Sequence, residues 1–458
     1  MVIRERLPFL LLCFLVVASL SVSSASDHSP SEESEQPSDR RLPWPWKWDP
    51  DRKHQENPFH FPSQLFQSRY KSEMGHISLL QRFDKNNRIL NGITNYRLLS
   101  FEARPQTFVL PHITDADYLI YVMSGKLLFT LMYANHRESY RLERDDVLIL
   151  PAGALAYVAN LDDNQNFQVM HLVIPINIPG EFSDVFPGIQ RKPRSFYHGF
   201  GRQTLEASFN SPYKDILRAL LGEKEEERTD VLVRISKEQI EELSRDAKSS
   251  QETSLGIGPF NLRNFLNPYS NNYGRYWEAH PNLLPQLQEF DVAVCLMELN
   301  PGSLLLPHLN SKAWVVAYVT QGSGLLEMAA PWRDNEDAEE YGEIQRLSTQ
   351  LNEGHAFVIP PGYPFAVTAS NNNTLRILRF EINIQRNRRI FLAGGRSNVI
   401  AQIQGIAKEL IFSGSADQVE GLLRNQRQSY FVSAAQHQQQ QQGGESRDPL
   451  KSILSAFA

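Results

Sequence analysis

Two histidines stand in the same short context, Leu110-Pro111-His112 and Leu306-Pro307-His308. Each is followed downstream by a proline-glycine turn, Pro151-Ala152-Gly153 and Pro360-Pro361-Gly362. Imidazole is the commonest side-chain ligand for first-row divalent metals, so the first chemistry such a repeat suggests is metal-assisted. A metal centre needs three or four donors, and a lone imidazole does not hold a catalytic ion. The polar groups expected near these histidines, Tyr118 and Tyr363, offer hydrogen bonds instead, which keeps a small ligand beside His308 and Tyr363 as the weaker possibility. Of the two cysteines, Cys13 falls in an apolar leader and Cys295 in the apolar run Val292 to Met297, a setting that predicts a buried, inert thiol. Asn372-Asn373-Thr374 is an N-glycosylation sequon in the polar turn Ser370 to Asn373.

The elements that must position these residues recur. Short β-rich runs bounded by turn residues, among them Tyr118 to Met123, Leu127 to Tyr133, Val147 to Leu150 and Val169 to Ile174, predict a sandwich or barrel. A second set follows at Trp314 to Val319, Phe357 to Ile359 and Leu375 to Ile382, so the fold is read as duplicated. The spacing of the two copies differs by roughly the length of the acidic segment Arg333 to Glu343, an exposed loop by composition. Each β unit is followed by helical sequence. Ser211-Pro212 is read as an N-cap with proline at N1, and Ser236 with Gln239 and Ser415 with Gln418 as capping boxes. Val399, Ile403, Ile406 and Leu410 keep a helical period after Ser397. Such apolar stripes on helices set apart from the barrels by polar or Gly-rich sequence need a partner, and subunit association is the expectation.

Met1 to Ala25 reads as a secretory signal: a basic start, an apolar run too short to span a bilayer, and small residues before the cleavage point. Its loss takes Arg4, Glu5 and Arg6, which moves the net charge from -6 to -7, and leaves Cys295 as the one thiol. Stability must then come from core and subunit contacts and not from an internal disulfide. Residues 26–60 are rich in Ser, Glu, Asp and Pro and are expected to be a disordered polar arm; 433–458 are a Gln-rich flexible tail. Between them lie 61–250 and 251–432, each a β unit with its helical arm. The acidic balance does not fit nucleic acid as a partner, and no second apolar stretch suggests a membrane once the signal is removed. The nitrogen-rich composition, with 33 Arg against 13 Lys and 29 Gln beside 2 Cys, is a chain spending nothing on thiol chemistry.

Each β unit, with its early histidine and late Pro-x-Gly, resembles a cupin, a small jelly-roll barrel, so the fold class is mainly β: two tandem cupin domains, each followed by a helical arm. In metal-binding cupins the resemblance implies a three-His, one-carboxylate set. Its positions fall here on His112, Thr114, Tyr118 and Ala156, and on His308, Asn310, Val315 and Phe365. One donor of four survives in each, so no metal, no cofactor and no enzyme activity are expected.

The stretches Asn57-Pro58-Phe59, Leu306 to Ala313, Phe391-Leu392-Ala393-Gly394 and the terminal Pro449 to Phe457 resemble the vicilin (7S) family of seed storage globulins over about Asn57 to Val432. That resemblance implies a homotrimer joined through helical arms, routing through the secretory pathway to a protein storage vacuole, and degradation by proteases at germination. Segments open to cleavage are Glu223 to Glu227, Asn335 to Glu340 and both termini. The family also includes allergens and defence proteins, roles that no residue here carries. Its sucrose-binding members supply the alternative, a bicupin that binds a small sugar, carboxylate or metal.

Overall fold

The computed structural model describes residues 57–85, 88–188, 195–221, 230–249, 258–265, 269–331, 344–395 and 398–434. The signal, the polar arm as far as residue 56, both proposed cleavage loops and the Gln-rich tail from residue 435 lie outside them; Ser433, expected in the tail, ends the strand Phe431–Ser433.

Four sheets form two barrels. In the first, one sheet runs Phe260–Asn261, Asp146–Leu150, Ala116–Ser124, Phe167–Pro175, Arg97–Ala103, Gly75–Leu80, Phe66–Ser72. Its second sheet is built on Thr107–Thr114, Leu155–Asn160, Leu127–Tyr133 and His136–Leu142. The second barrel repeats the first sheet strand for strand: His60–Phe61, Ala356–Ile359, Trp314–Gln321, Leu375–Ile382, Val292–Leu299, Gly274–Ala279, Tyr269–Asn271. Its partner sheet carries Ile344–Asn352, Ser323–Pro331, Phe365–Ala369, Ser303–Asn310 and Arg389–Phe391.

The central strands of the large sheets are buried on both faces because both faces are covered, where a half-solvated strand would alternate. Ile120, Val122, Leu148 and Val169 point into the first barrel. Leu119, Tyr121, Ile149 and Met170 alternate with them and join Val294, Leu296 and Phe380 in one core between the barrels.

Neither barrel is closed by its own stretch of chain. His60 and Phe61 pair with Phe357 and Ala356 of the second barrel, and Phe260 and Asn261 pair with Val147 and Asp146 of the first. The two barrels thus exchange edge strands reciprocally. This moves one expected boundary. The polar arm does not run to residue 60, because Phe59 is buried and Asn57 Nδ2 donates to Thr349 Oγ1 at 2.8 Å. A strand from before each barrel crosses to the other, so the stretches 61–250 and 251–432 interlock. Beside the first crossing strand, the rings of His60 and His355 share one hydrogen bond, Nε2 to Nδ1 at 2.9 Å.

A charged cluster fastens the crossing from the other side. Tyr121 Oη donates to Asp145 Oδ1 at 2.5 Å, Arg263 Nε donates to Asp145 Oδ2 at 2.9 Å, and Arg263 Nη2 reaches Glu298 Oε1 at 2.5 Å. Arg376 donates twice to the same Glu298 oxygen, at 2.9 and 2.6 Å. The Arg263 guanidinium also lies 3.9 Å from the Trp277 ring centroid, a cation–π contact.

Both capping boxes form as the sequence predicts, on Lys237–Ser244 and Ala416–Asn425. Two helical readings need adjustment. Pro212 is itself the N-cap of Tyr213–Ile216, so the helix begins one residue later than expected. The stripe Val399 to Leu410 is not one helix: Ile400–Gln402 is a short 3-10 turn, Ile403 is extended, and the α-helix begins anew as Gly405–Ile411. In the first arm Leu205, Ile216 and Leu221 bury one another in a small cluster apart from the barrel core. In the second, Lys408 is buried and paired with Glu420, while Ile406, Leu410 and Leu422 are 78%, 82% and 72% exposed.

Candidate functional site

Strand register places the expected site positions opposite one another. Ala156 is the cross-strand partner of His112, and Phe365 that of His308. The glycine turns return to the same place in both barrels: Gly153 N donates to Thr114 O at 2.9 Å and Gly362 N to Asn310 O at 2.7 Å. Both glycines have φ near the left-handed region, +80° and +81°, with nothing within 4 Å of an added Cβ. Backbone conformation, and not close approach, therefore requires glycine there.

In the first barrel His112 donates from Nδ1 to Leu110 O at 2.9 Å. Thr114 Oγ1 and Tyr118 Oη lie 3.4 Å apart, and the Tyr118 ring stands edge-on to His171 with centroids 5.6 Å apart. Burial pushes the Tyr118 hydroxyl far above the ordinary phenol range. His171 comes from the strand Phe167–Pro175, and both its ring nitrogens are buried without a hydrogen-bond partner among the described residues. Burial, with His112 adding repulsion, lowers its pKa to about 3. His112, Tyr118 and His171 line a cavity of about 60 Å³ whose walls are otherwise mainly apolar, with Leu99, Phe101 and Val158 among them. Arg69 closes one side, bonded to Asp184 Oδ2 at 3.1 and 2.9 Å, and Tyr70 Oη donates to the same oxygen at 3.2 Å.

The second barrel is filled. The His308 ring packs between Phe365, centroids 4.1 Å apart, and Phe391, stacked at 5.0 Å. Its Nδ1 donates to Leu306 O at 2.9 Å, the same contact His112 makes. Asn310 accepts from Asn387 Nδ2 at 3.1 Å, and Val315 is buried in the core. Tyr363 sets its ring edge-on to Phe59 at 5.8 Å. Behind His308 lies a buried ionic group. Arg389 reaches Glu278 Oε2 and Glu381 Oε2, both at 2.6 Å; Arg379 lies 2.8 Å from Glu381 Oε1; Tyr276 Oη donates to Glu381 Oε1 at 2.6 Å. Burial alone would raise the Glu381 carboxyl, but Arg389 and Arg379 outweigh it and hold the pKa at about 2. Burial, and then the positive field of Arg379, lowers His308 to about 3. Cys295 is fully buried beside this group, and burial raises its thiol well above the ordinary range.

His171, Arg379, Glu381 and Arg389 were not among the residues singled out from the sequence. The signal for three of them was present: one histidine in Val169 to Ile174, and Arg379 and Glu381 in Leu375 to Ile382, are polar groups inside runs otherwise apolar. A buried charge in such a strand announces a partner.

The cupin metal positions do not fit a divalent ion. Ala156, Val315 and Phe365 have no lone pair to give, and His308 is enclosed by two phenyl rings. Among the described residues no cluster of three or more His, Cys, Asp or Glu is arranged to hold one. Asn372 is exposed in its turn, open to a modifying enzyme.

Two jelly rolls in tandem, with the turns of a metal-binding barrel and without its ligand set, define a bicupin. The family model described as Cupin matches residues 64–191 and 260–418. A vicilin of Vicia faba is 42% identical over 438 residues, which span 89% of this chain and 94% of that one. Among solved structures, the vicilin of Corylus avellana superposes with a TM-score of 0.76 at 34% identity, covering 82% of this chain and 100% of that one. A vicilin of Solanum melongena, whose structure revealed different anionic ligands in structurally similar pockets, gives 0.75 at 30% identity over 82% and 98%. The chain belongs to the vicilin family, the 7S seed storage globulins.

Proposed function

We propose that the protein is an amino-acid reserve that does no chemistry, assembles as a homotrimer, and is stored in a vacuole reached through the secretory pathway and degraded by proteases at germination. The observation that carries this reading is what became of the two barrel mouths: glycine turns and histidine backbone contacts kept, ligand positions filled by Ala, Val and Phe. Assembly is supported by the arms. Ile406, Leu410 and Leu422 expose large apolar surfaces on helices whose other face is occupied by the Lys408–Glu420 pair. Such a stripe on a projecting element is stable in water only when a neighbour covers it.

Two measurements on the native protein test the reading. Light scattering should give a mass near three times that of the mature chain, falling toward one in an Ile406→Glu, Leu410→Glu double variant. Proteases from germinating seed should cut first at Glu223 to Glu227 and Asn335 to Glu340, leaving barrel fragments. A native monomer, or a chain that survives while other vacuolar proteins are cut, refutes it.

A second reading is favoured by one feature, the first-barrel cavity. Its volume suits about four waters, or an acid of two or three carbons. A carboxylate there would accept from His171, whose ring nitrogens have no partner, beside the Arg69 guanidinium. Its apolar walls offer a sugar few of the hydrogen bonds it needs. Calorimetry should therefore detect acetate or propionate but not sucrose, and His171→Phe, which fills the space, should abolish the heat. Silence across the panel, or an unchanged His171→Phe response, rules it out.

A further inference from the structure

A second depression, away from both barrel mouths, lies where the barrels meet. It is an open cleft of about 700 Å³ lined by Arg144, Arg275 and Arg376, by Glu298, and by Asn271, Asn272, Asn300, Gln321 and Thr374. Three guanidiniums against one carboxylate leave two positive charges uncompensated, on a chain whose net charge is -6. The single acid is already committed: the Glu298 carboxylate takes Arg263 at 2.5 Å and Arg376 at 2.9 and 2.6 Å. Arg275 stands directly across the sheet from Glu298, yet forms no ion pair among the described residues, and neither does Arg144. The Arg376 head group is fixed by those bonds, so one wall of the cleft is rigid and two guanidiniums are free to close on a ligand. The remaining lining is amide and hydroxyl: Asn271 Nδ2 is already spent on Ser429 O and Phe431 O, and Asn300 Nδ2 on Asn272 O, so the side-chain donors left for an oxyanion are those of Asn272, Gln321 and Thr374.

We infer that this cleft binds a small polyphosphate or a comparably multiply charged oxyanion. Planar guanidinium forks match phosphate oxygens two at a time, and three of them from separate elements would hold several phosphoryl groups at once. The space exceeds what a single phosphate needs, so chelation across two or three groups sets the preference. Because Arg144 comes from the first barrel and Arg275 and Arg376 from the second, the ligand would also bridge the two.

The test uses the full chain with inorganic phosphate, pyrophosphate and tripolyphosphate in calorimetric titrations. The expected result is one site per chain, with affinity rising from phosphate to tripolyphosphate and falling as sodium chloride is raised. The Arg144→Gln, Arg275→Gln double variant should weaken tripolyphosphate at least tenfold. Both positions are exposed, so an unchanged circular dichroism spectrum and melting temperature confirm that the fold is intact. Arg346→Gln, at an exposed arginine elsewhere, and His171→Phe, in the barrel cavity, should leave binding unchanged. No saturable binding, the same affinity in the double variant, or an equal loss in Arg346→Gln overturns the assignment.

Discussion

Replacing Glu381 by glutamine is expected to destabilise the chain by about 3–5 kcal/mol, the cost of removing one partner from a buried charged group. Glu381 is fully buried and is the residue on which Arg389, Arg379 and Tyr276 converge. Without its charge, Glu278 alone remains to balance two buried guanidiniums. The polar atoms Arg379 Nε and Nη2 already lack a well-aligned hydrogen bond, so there is no spare acceptor to take up the loss. Urea denaturation read by fluorescence should show the midpoint falling steeply with the slope nearly unchanged. Glu327→Gln serves as the control. Its partner Arg346 is largely exposed, and exposed pairs of this kind contribute about 0–1 kcal/mol. Equal, small effects at the two positions would mean that the buried group is not fixed as described.

The second large effect is a loss of stability on mild acidification. His171 and His308 have folded-state pKa values of about 3 against 6.5 for a free histidine. The folded chain therefore binds fewer protons than the unfolded one between those limits. A lowered histidine pKa gives stability that is complete above 6.5 and is lost progressively as the pH falls toward 3. At pH 5 the loss is about 2 kcal/mol for each, or about 4 kcal/mol together. His60, lowered to about 4 by burial and by His355, acts in the same direction. Glu381 does not contribute in this window: its stabilisation is present above 4.5 and is lost only as the pH falls toward 2. Denaturation midpoints measured from pH 7 to 5 should fall, and His171→Phe should remove about one histidine's share of the slope, about 1.4 kcal/mol per pH unit. An identical slope in that variant would show that His171 is not held neutral.

The parts legible in the sequence were those with a local signature. The apolar runs named from the sequence, from Tyr118 to Met123 through to Leu375 to Ile382, all lie on strands, and the Ser236–Gln239 and Ser415–Gln418 boxes cap their helices. What was not legible depends on contacts far apart in the chain. A two-residue strand such as His60–Phe61 or Phe260–Asn261 has no periodicity to detect; it exists because another barrel offers it an edge. His171 was read as part of an apolar run because only the closed barrel turns its face inward with Val169 and Val173. The cleft arginines are ordinary surface residues until Arg144 from one barrel is brought beside Arg275 and Arg376 from the other. Even the break at Ile403 is a matter of context, since the apolar spacing from Val399 to Leu410 continues across it while the backbone does not.

The reciprocal exchange of edge strands has a consequence for the order of events during synthesis. Domains ordinarily fold as they leave the ribosome, the N-terminal one first. Here the first barrel lacks an edge until Phe260 and Asn261 have emerged. The strand His60–Phe61, made early, must wait for Ala356–Ile359, and its side-chain bond from His60 to His355 closes a loop of 295 residues. Long loop closures of this kind slow folding. The nascent chain must therefore carry an unpaired, aromatic-flanked segment through most of its elongation, which makes chaperone occupancy near residues 57–61 a cost inherent in the topology.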